Sequence, residues 1–227
     1  MRVSIRNATL VALWAVGFAL ATSGCALTSK AAVVDVRYFS PERVKPRLDN
    51  QDSNGPHPAL VPALQLRMGR VSSGPNLRER IAYRNSAYEL GYYEDLRWTE
   101  RPETYVRREF ARALFEMHAM HRVLTGAAPT LDVEVIAFDE VRLGANRAAR
   151  IQLKIILYDD NGVIFEDTLT IDCPVAGQKP KIEDVIAAMA TALDTAADQV
   201  ALKVQKALAN GHLATAPDLA PSIEAAR

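Results

Sequence analysis

The chain has 227 residues, with 27 Lys+Arg against 27 Asp+Glu, 49% hydrophobic residues, 7% aromatic residues and two cysteines. That supplies the apolar side chains for one core of ordinary size and excludes an intrinsically disordered composition. Without net positive charge, and with Arg67, Arg70, Arg78, Arg80 and Arg84 interleaved among apolar residues instead of massed, the composition argues against nucleic acid as a partner.

Taken in chain order, Arg2 and Arg6 precede an apolar run from Ala8 to Ala21, which ends in Thr22-Ser23-Gly24-Cys25. A basic start, an apolar core and small residues before a cleavage point are the layout of a secretory signal. The run falls short of the roughly 18 apolar residues that a spanning helix needs. Thr22 to Cys25 resembles a lipobox, so residues 1–24 are expected to be a lipoprotein signal peptide and Cys25 the lipidation site, since a thiol can accept diacylglycerol as a thioether. Fatty acyl chains there, palmitate among them, would each contribute about 0.8 kcal/mol per buried methylene and hold the protein on a membrane. Ala26 and Leu27 follow, without the Asp that commonly retains lipoproteins at the inner membrane, so the expected location is the periplasmic face of the outer membrane. Removing residues 1–24 leaves two more acids than bases, and Cys173 becomes the remaining thiol, so no intramolecular disulfide can form.

The mature body is expected to be one domain over residues 25–210. Val33 to Phe39 reads as a short strand, and 40–62 as a loop rich in Pro, Asp, Asn and Gly. Alternation from Leu64 to Val71 predicts a strand with one buried face, and two further short strands are expected at Arg80 to Arg84 and Tyr88 to Tyr93. At Trp98 the period changes. Val106, Phe110, Ala113, Leu114 and Met117 then recur on one helical face, with Pro102 in the first turn, and predict an amphipathic helix of about four turns. Strands follow at Thr130 to Phe138, Arg150 to Tyr158 and Val163 to Ile171, the last two joined by a hairpin at Asp159-Asp160-Asn161-Gly162. A stripe from Ile182 to Leu208 predicts a long helix, acidic at its start, with Gly211 as its stop and 211–227 as a disordered tail. Runs of strands with two helices predict an α+β domain, a mostly antiparallel sheet carrying both helices on one face.

Catalytic and metal-binding patterns are weak. No Gly-rich phosphate loop with its Lys occurs. Asp159-Asp160-Asn161-Gly162 lacks the alternating acids and closing Glu of a calcium loop. His118 and His121 lie three apart near a helix end with no third ligand placed by sequence. Cys173 before Pro174 reads as a structural cysteine, because a nucleophile needs a base and an orienting group. No Gly-x-Ser-x-Gly elbow is present. The expectation is no enzyme activity, no cofactor and no metal.

The unusual stretch is Tyr83 to Trp98. In strand geometry Tyr88, Leu90 and Tyr92 share one face and Glu89, Gly91 and Tyr93 the other, so tyrosines project both ways. Exposed Tyr, Trp and Arg are favoured at partner surfaces, whereas the same rings can equally fill a sheet and helix interface. Four features carry a resemblance to a known family. They are the lipobox at Cys25; the strand Leu66-Arg67-Met68-Gly69-Arg70-Val71; the block Ile81-Ala82-Tyr83-Arg84 to Tyr92-Tyr93-Glu94 to Arg97-Trp98, running into Pro102 and a helix; and the closing strands and long helix. Over about 33–208 the chain resembles the ABC-type transport auxiliary lipoproteins, the PqiC-like outer-membrane lipoproteins. The Pro-rich stretch 40–62 is longer than the link expected there.

The resemblance implies a non-catalytic outer-membrane lipoprotein subunit of an MCE/ABC-type envelope transport system that moves lipids or other hydrophobic molecules between membranes. Its implied partner is an MCE-domain protein, whose ring shape would suit a homo-oligomer. Tyr83, Arg84, Tyr92, Tyr93, Arg97 and Trp98 are the partner-binding candidates, and no catalytic residues carry over. The alternative is a lipid-anchored periplasmic scaffold or activator of cell-wall synthesis. Residues 40–62 would give such a scaffold ~25 Å of reach as a coil and at most ~80 Å stretched, which favours a domain held near its membrane. A periplasmic hydrolase would need clustered Ser, Cys or His with a base in a pocket.

Overall fold

Period-2 alternation dominates the middle of the chain and period-3.6 stripes flank it, and the computed structural model turns these into one sheet with helices on one face. It describes residues 34–42, 64–144 and 146–215. The signal peptide, Cys25, most of the Pro-rich stretch and the tail from residue 216 therefore lie outside the described residues. The chain divides after Asp35, and the architecture below is that of the unit from Val36 onward. In chain order the elements are β1 (Arg37–Phe39), β2 (Gln65–Ser73), β3 (Arg80–Arg84), β4 (Leu90–Trp98), α1 (Pro102–Ala111), β5 (His121–Arg122), β6 (Thr130–Leu143), β7 (Asn146–Asp159), β8 (Gly162–Pro174) and α2 (Ile182–Thr215).

The sheet is mixed, which corrects the expectation of a mostly antiparallel one. Strands β6, β7 and β8 form an antiparallel meander, as does the pair β3 and β4, but β2 and β3 both run parallel to β6. On the edge of β6 away from β7, β2 pairs with Thr130 to Val135 and β3 with Asp139 to Val141. The two are one interrupted strand from which residues 74–79 loop out. Further parallel pairs join β1 to β4 and β5 to β2. Local alternation reports which residues face the core and carries no information on strand direction, so the parallel pairing was invisible in it.

Both helices lie on the face formed by Leu131, Val133, Val135 and Phe138 of β6 and Ala149, Ile151, Leu153, Ile155 and Leu157 of β7, all buried. Helix α1 packs on β2 and β6, α2 packs on β7 and β8, and the two helices meet. Small residues Ala192, Ala196, Ala197 and Ala201, each at most 1% exposed, let α2 approach closely. Although α2 is long and apolar enough to cross a membrane, its stripe is spent on this core. Among the described residues no helix packs on the opposite face of the sheet, which carries ion pairs: Lys154 pairs with Glu166 at 2.7 Å, and Arg150 with Asp172 at 2.7 Å.

Several boundaries differ from the sequence expectation. Strand β4 runs through Trp98 instead of ending at Tyr93, because a bulge between the pairs Ala82–Tyr92 and Arg80–Arg97 breaks the alternation. Tyr88 falls in the preceding turn. The first helix passes into a π-helical segment at Arg112–Met117, where the His118 N–H reaches back to Ala113 O at 2.9 Å. That wider winding turns Met117 out to solvent at 56% exposure, off the predicted face. Both β6 and β7 extend to a hairpin at Gly144, whose φ of 62° is in the left-handed region that glycine tolerates. The expected hairpin at Asp159 to Gly162 forms, with Asp159 Oδ1 accepting the N–H groups of Asn161 and Gly162. Helix α2 continues past Gly211 to Thr215, so Gly211 is not its stop.

Candidate functional site

The Tyr, Arg and Trp block spreads over β3 and β4, and period-2 geometry sorts its members to different places. Tyr83 pairs with Gly91 on β4 and with Glu140 on β6, which puts it on the helix-covered face. Tyr93 lies on that face as well, and its ring meets Tyr83 edge-on at 5.4 Å and 75°. The Arg142 guanidinium covers both rings, 4.0 Å from the centroid of Tyr83 and 4.8 Å from that of Tyr93. Beneath it Glu140 is fully buried. The Tyr93 hydroxyl donates to Glu140 Oε2 at 2.7 Å, Arg142 donates to the same oxygen at 2.9 Å, and Arg147 closes on Oε1. Arg147 also donates to the carbonyl of Pro180, two residues before α2, at 3.1 Å. Burying a carboxylate is costly unless it is paired and hydrogen-bonded, and three donors on Glu140 meet that cost. Burial and the adjacent Glu140 push the Tyr93 hydroxyl above its ordinary pKa. The cluster ties the β3–β4 pair, the β6–β7 hairpin and the entry to α2 together.

Arg84 and Tyr92 point to the open face. Arg84 Nε donates to Asp139 Oδ2 at 2.5 Å, and Asp139 is 1% exposed. Burial raises the Asp139 carboxyl above its usual range, with Arg84 opposing. Next to it Arg150 holds Asp172 through two hydrogen bonds of 2.7 Å, which keeps the Asp172 carboxyl below its usual range. The Tyr92 hydroxyl donates to Asn76 O at 3.0 Å, and Arg80 sits over its ring at 5.3 Å. Arg97 Nη1 donates to the carbonyls of Tyr93 and Leu96, on either side of the β4 irregularity.

Trp98 is a core residue, 1% exposed, edge-on to Phe138 at 5.3 Å and to Tyr105 at 6.2 Å. The block thus divides into a helix-face cluster, an open-face pair, an arginine bonded to its own strand's carbonyls and a core ring. Sequence reasoning missed the partners that give it structure: Asp139, Glu140, Arg142, Arg147, Arg150 and Asp172. For the first four the available signal was the run of charges between the predicted strands ending at Phe138 and starting at Arg150; Arg150 and Asp172 lie at the ends of predicted strands and carry no such signal. Elsewhere, His118 Nε2 lies 2.8 Å from Asp198 Oδ1, while His121 sits exposed on β5. Cys173 is half-buried on β8 with its thiol pushed up by burial and by Asp172, away from the thiolate a nucleophile needs.

A family described as the ABC-type transport auxiliary lipoprotein component matches residues 47–201. The chain belongs to this family. Its name associates members with an ABC-type transport system and with lipid anchoring, and it is not a known enzyme family. No curated protein matches the chain. A crystal structure of a Xanthomonas campestris protein aligns with 69% of this chain and 94% of its own, at 22% identity and a TM-score of 0.58. A second, described only as an uncharacterized protein, aligns over 63% of this chain and 94% of its own at 15% identity and a TM-score of 0.54. At these identities the likeness is one of fold. Every strand from β2 to β8 and the first turns of α2 fall within the family match.

Proposed function

We propose that this protein is the lipid-anchored, non-catalytic outer-membrane subunit of an MCE/ABC-type envelope transport system that moves lipids or other hydrophobic molecules between membranes. The family match over residues 47–201 carries the reading. In this reading Cys25 bears the acyl chains, and the domain holds an MCE-domain partner at the periplasmic face of the outer membrane, as a homo-oligomer matched to that partner's ring. The charge pattern of the β3–β4 region suits a binding part over a reaction centre. Its buried acids are occupied by Arg84, Arg142 and Arg147, and the Tyr93 phenol is held protonated. Of the partner-binding candidates, Tyr83, Arg84, Tyr92, Tyr93 and Arg97 are half-buried and keep some surface for a partner, whereas Trp98 is buried. Trp98 acts through the shape it imposes on the β3–β4 pair.

The test is a cross-linked capture of the lipidated protein from its native envelope, with partners identified by mass spectrometry and Cys25→Ala as the unanchored control. Recovery of an MCE-domain protein with the lipidated form supports the reading. Recovery of a peptidoglycan synthase without any MCE-domain protein overturns it in favour of a cell-wall scaffold.

A further inference from the structure

Three connections meet at one end of the sheet. Strand β3 runs parallel to β6, with Arg84 opposite Val141, so the β3–β4 turn at residues 85–89 and the β6–β7 hairpin at Gly144 reach the same end. Ala87 and Leu143 line one cavity, which puts the two tips side by side. The link from β8 to α2, residues 175–181, joins them: the Val175 N–H donates to Arg147 O at 2.9 Å, and Arg147 donates to the carbonyl of Pro180 at 3.1 Å. Apolar side chains project from the tips, Tyr88 at 99% exposure and Leu143 at 51%. Lys179 and Lys181 are exposed on the link beside them. The exposed acids nearby are engaged, Glu89 with Asn85 at 3.2 Å and Glu183 with Arg37 at 2.6 Å.

A single exposed apolar side chain needs no explanation, but a tyrosine and a leucine on adjacent tips, with lysines beside them, match what a bilayer surface takes up. A tyrosine ring settles among the head groups, an aliphatic side chain reaches below it, and lysine ammoniums stay at the phosphates. The path of the chain points to the bilayer. Strand β1 runs parallel to β4, with Arg37 opposite Leu96 and Phe39 opposite Trp98, so the chain enters β1 from the side of the β3–β4 turn. Eleven residues separate Cys25 from Arg37, a link of at most ~40 Å, shorter than the ~45 Å length of the 14-residue β6. The opposite end of the sheet also exposes an apolar residue, Val163, but beside the exposed acid Asp160 and on the side toward which β1 runs. We propose that Tyr88 and Leu143, flanked by Lys179 and Lys181, form a surface that rests in the head-group layer of the phospholipid bilayer holding the acyl chains of Cys25. The inference rests on the anchored reading for that bilayer, and it adds a second contact that fixes the orientation of the domain on it.

The experiment places the whole lipidated chain in vesicles of phosphatidylethanolamine and phosphatidylglycerol. Nitroxide labels are attached singly at Ala87→Cys, Ala176→Cys and Asp160→Cys, all exposed positions, in a Cys173→Ser background that melts with the parent. Labels at 87 and 176 are expected to be about fivefold less accessible to an aqueous nickel reagent than the label at 160, as for side chains at the boundary of head groups and acyl chains. Combining Tyr88→Asp with Leu143→Asp, both at exposed tips, is expected to return those two labels to the level of the control while the melting temperature stays put. Equal accessibility at the three positions, or protection that survives the double variant, would overturn the proposal. Intact mass reports acylation in the same samples. An unacylated chain overturns the anchored reading and this inference with it, whereas an acylated chain with aqueous labels at 87 and 176 overturns this inference alone.

Discussion

At the scale of single residues, Trp98 is the member of the aromatic block whose role the structure decides most sharply. A ring 1% exposed and edge-on to two other aromatics contributes through burial. Trp98→Ala is expected to cost about 3–5 kcal/mol in chemical denaturation, the range for emptying a large core side chain. Asp139 gives a prediction in pH. Because burial holds its carboxyl above the ordinary range, the folded chain keeps that proton more tightly than the unfolded chain does. Its contribution to stability is full below the ordinary carboxylate pKa of about 4 and is lost as pH rises through the raised value. Melting temperatures of the parent and of Asp139→Asn, measured from about pH 4 to neutrality, are expected to diverge in the variant's favour; a constant difference would contradict the assignment.

At the scale of elements, the β3–β4 pair depends on a glycine opposite a tyrosine. A Cβ on Gly91 would lie 2.6 Å from Cζ of Tyr83, and that ring is already held by Tyr93 and Arg142. Gly91→Ala is therefore expected to destabilise by about 1–3 kcal/mol, as overpacking does. In a Tyr83→Ala background the penalty is expected to vanish, and a double-mutant cycle in urea reads that coupling directly. The same pair shows how far the sequence was legible. Strand β3 and the tyrosine alternation at Leu90 to Tyr93 were readable because period 2 held there. The continuation of the strand from Tyr93 to Trp98 was not readable because the bulge shifts the parity by which strands are recognised. The charged half of the β6–β7 hairpin was unread for a related reason: Asp139, Glu140 and Arg142 break the apolar pattern, and what makes them acceptable in a sheet is pairing with Arg147 across the hairpin and with Arg84 and Tyr93, which are remote in sequence.

At the scale of the whole molecule, the long helix α2 closes the core over β7 and β8, and it runs beyond the end of the family match at residue 201. Val204 and Leu208 in that extension are 0% and 3% exposed. A chain ending at residue 201 is expected to lose about 3–5 kcal/mol, the burial of two large aliphatic side chains, seen as a lower urea midpoint. In the proposed reading the anchor is Cys25, which precedes every residue of the buried core, so Cys25→Ala is expected to leave that midpoint unchanged.

By itself the sequence determined the α+β class, most strands, both helices with their buried stripes and the family resemblance, because each is written in local periodicity or in contiguous motifs. The tertiary structure decided strand direction, the interrupted edge formed by β2 and β3, the burial of Trp98 and the partners of the buried acids. Parallel pairing, the Arg84–Asp139 pair and the Tyr93–Glu140 bond all join residues separated by tens of positions, and that separation erases any local trace of which group will meet which.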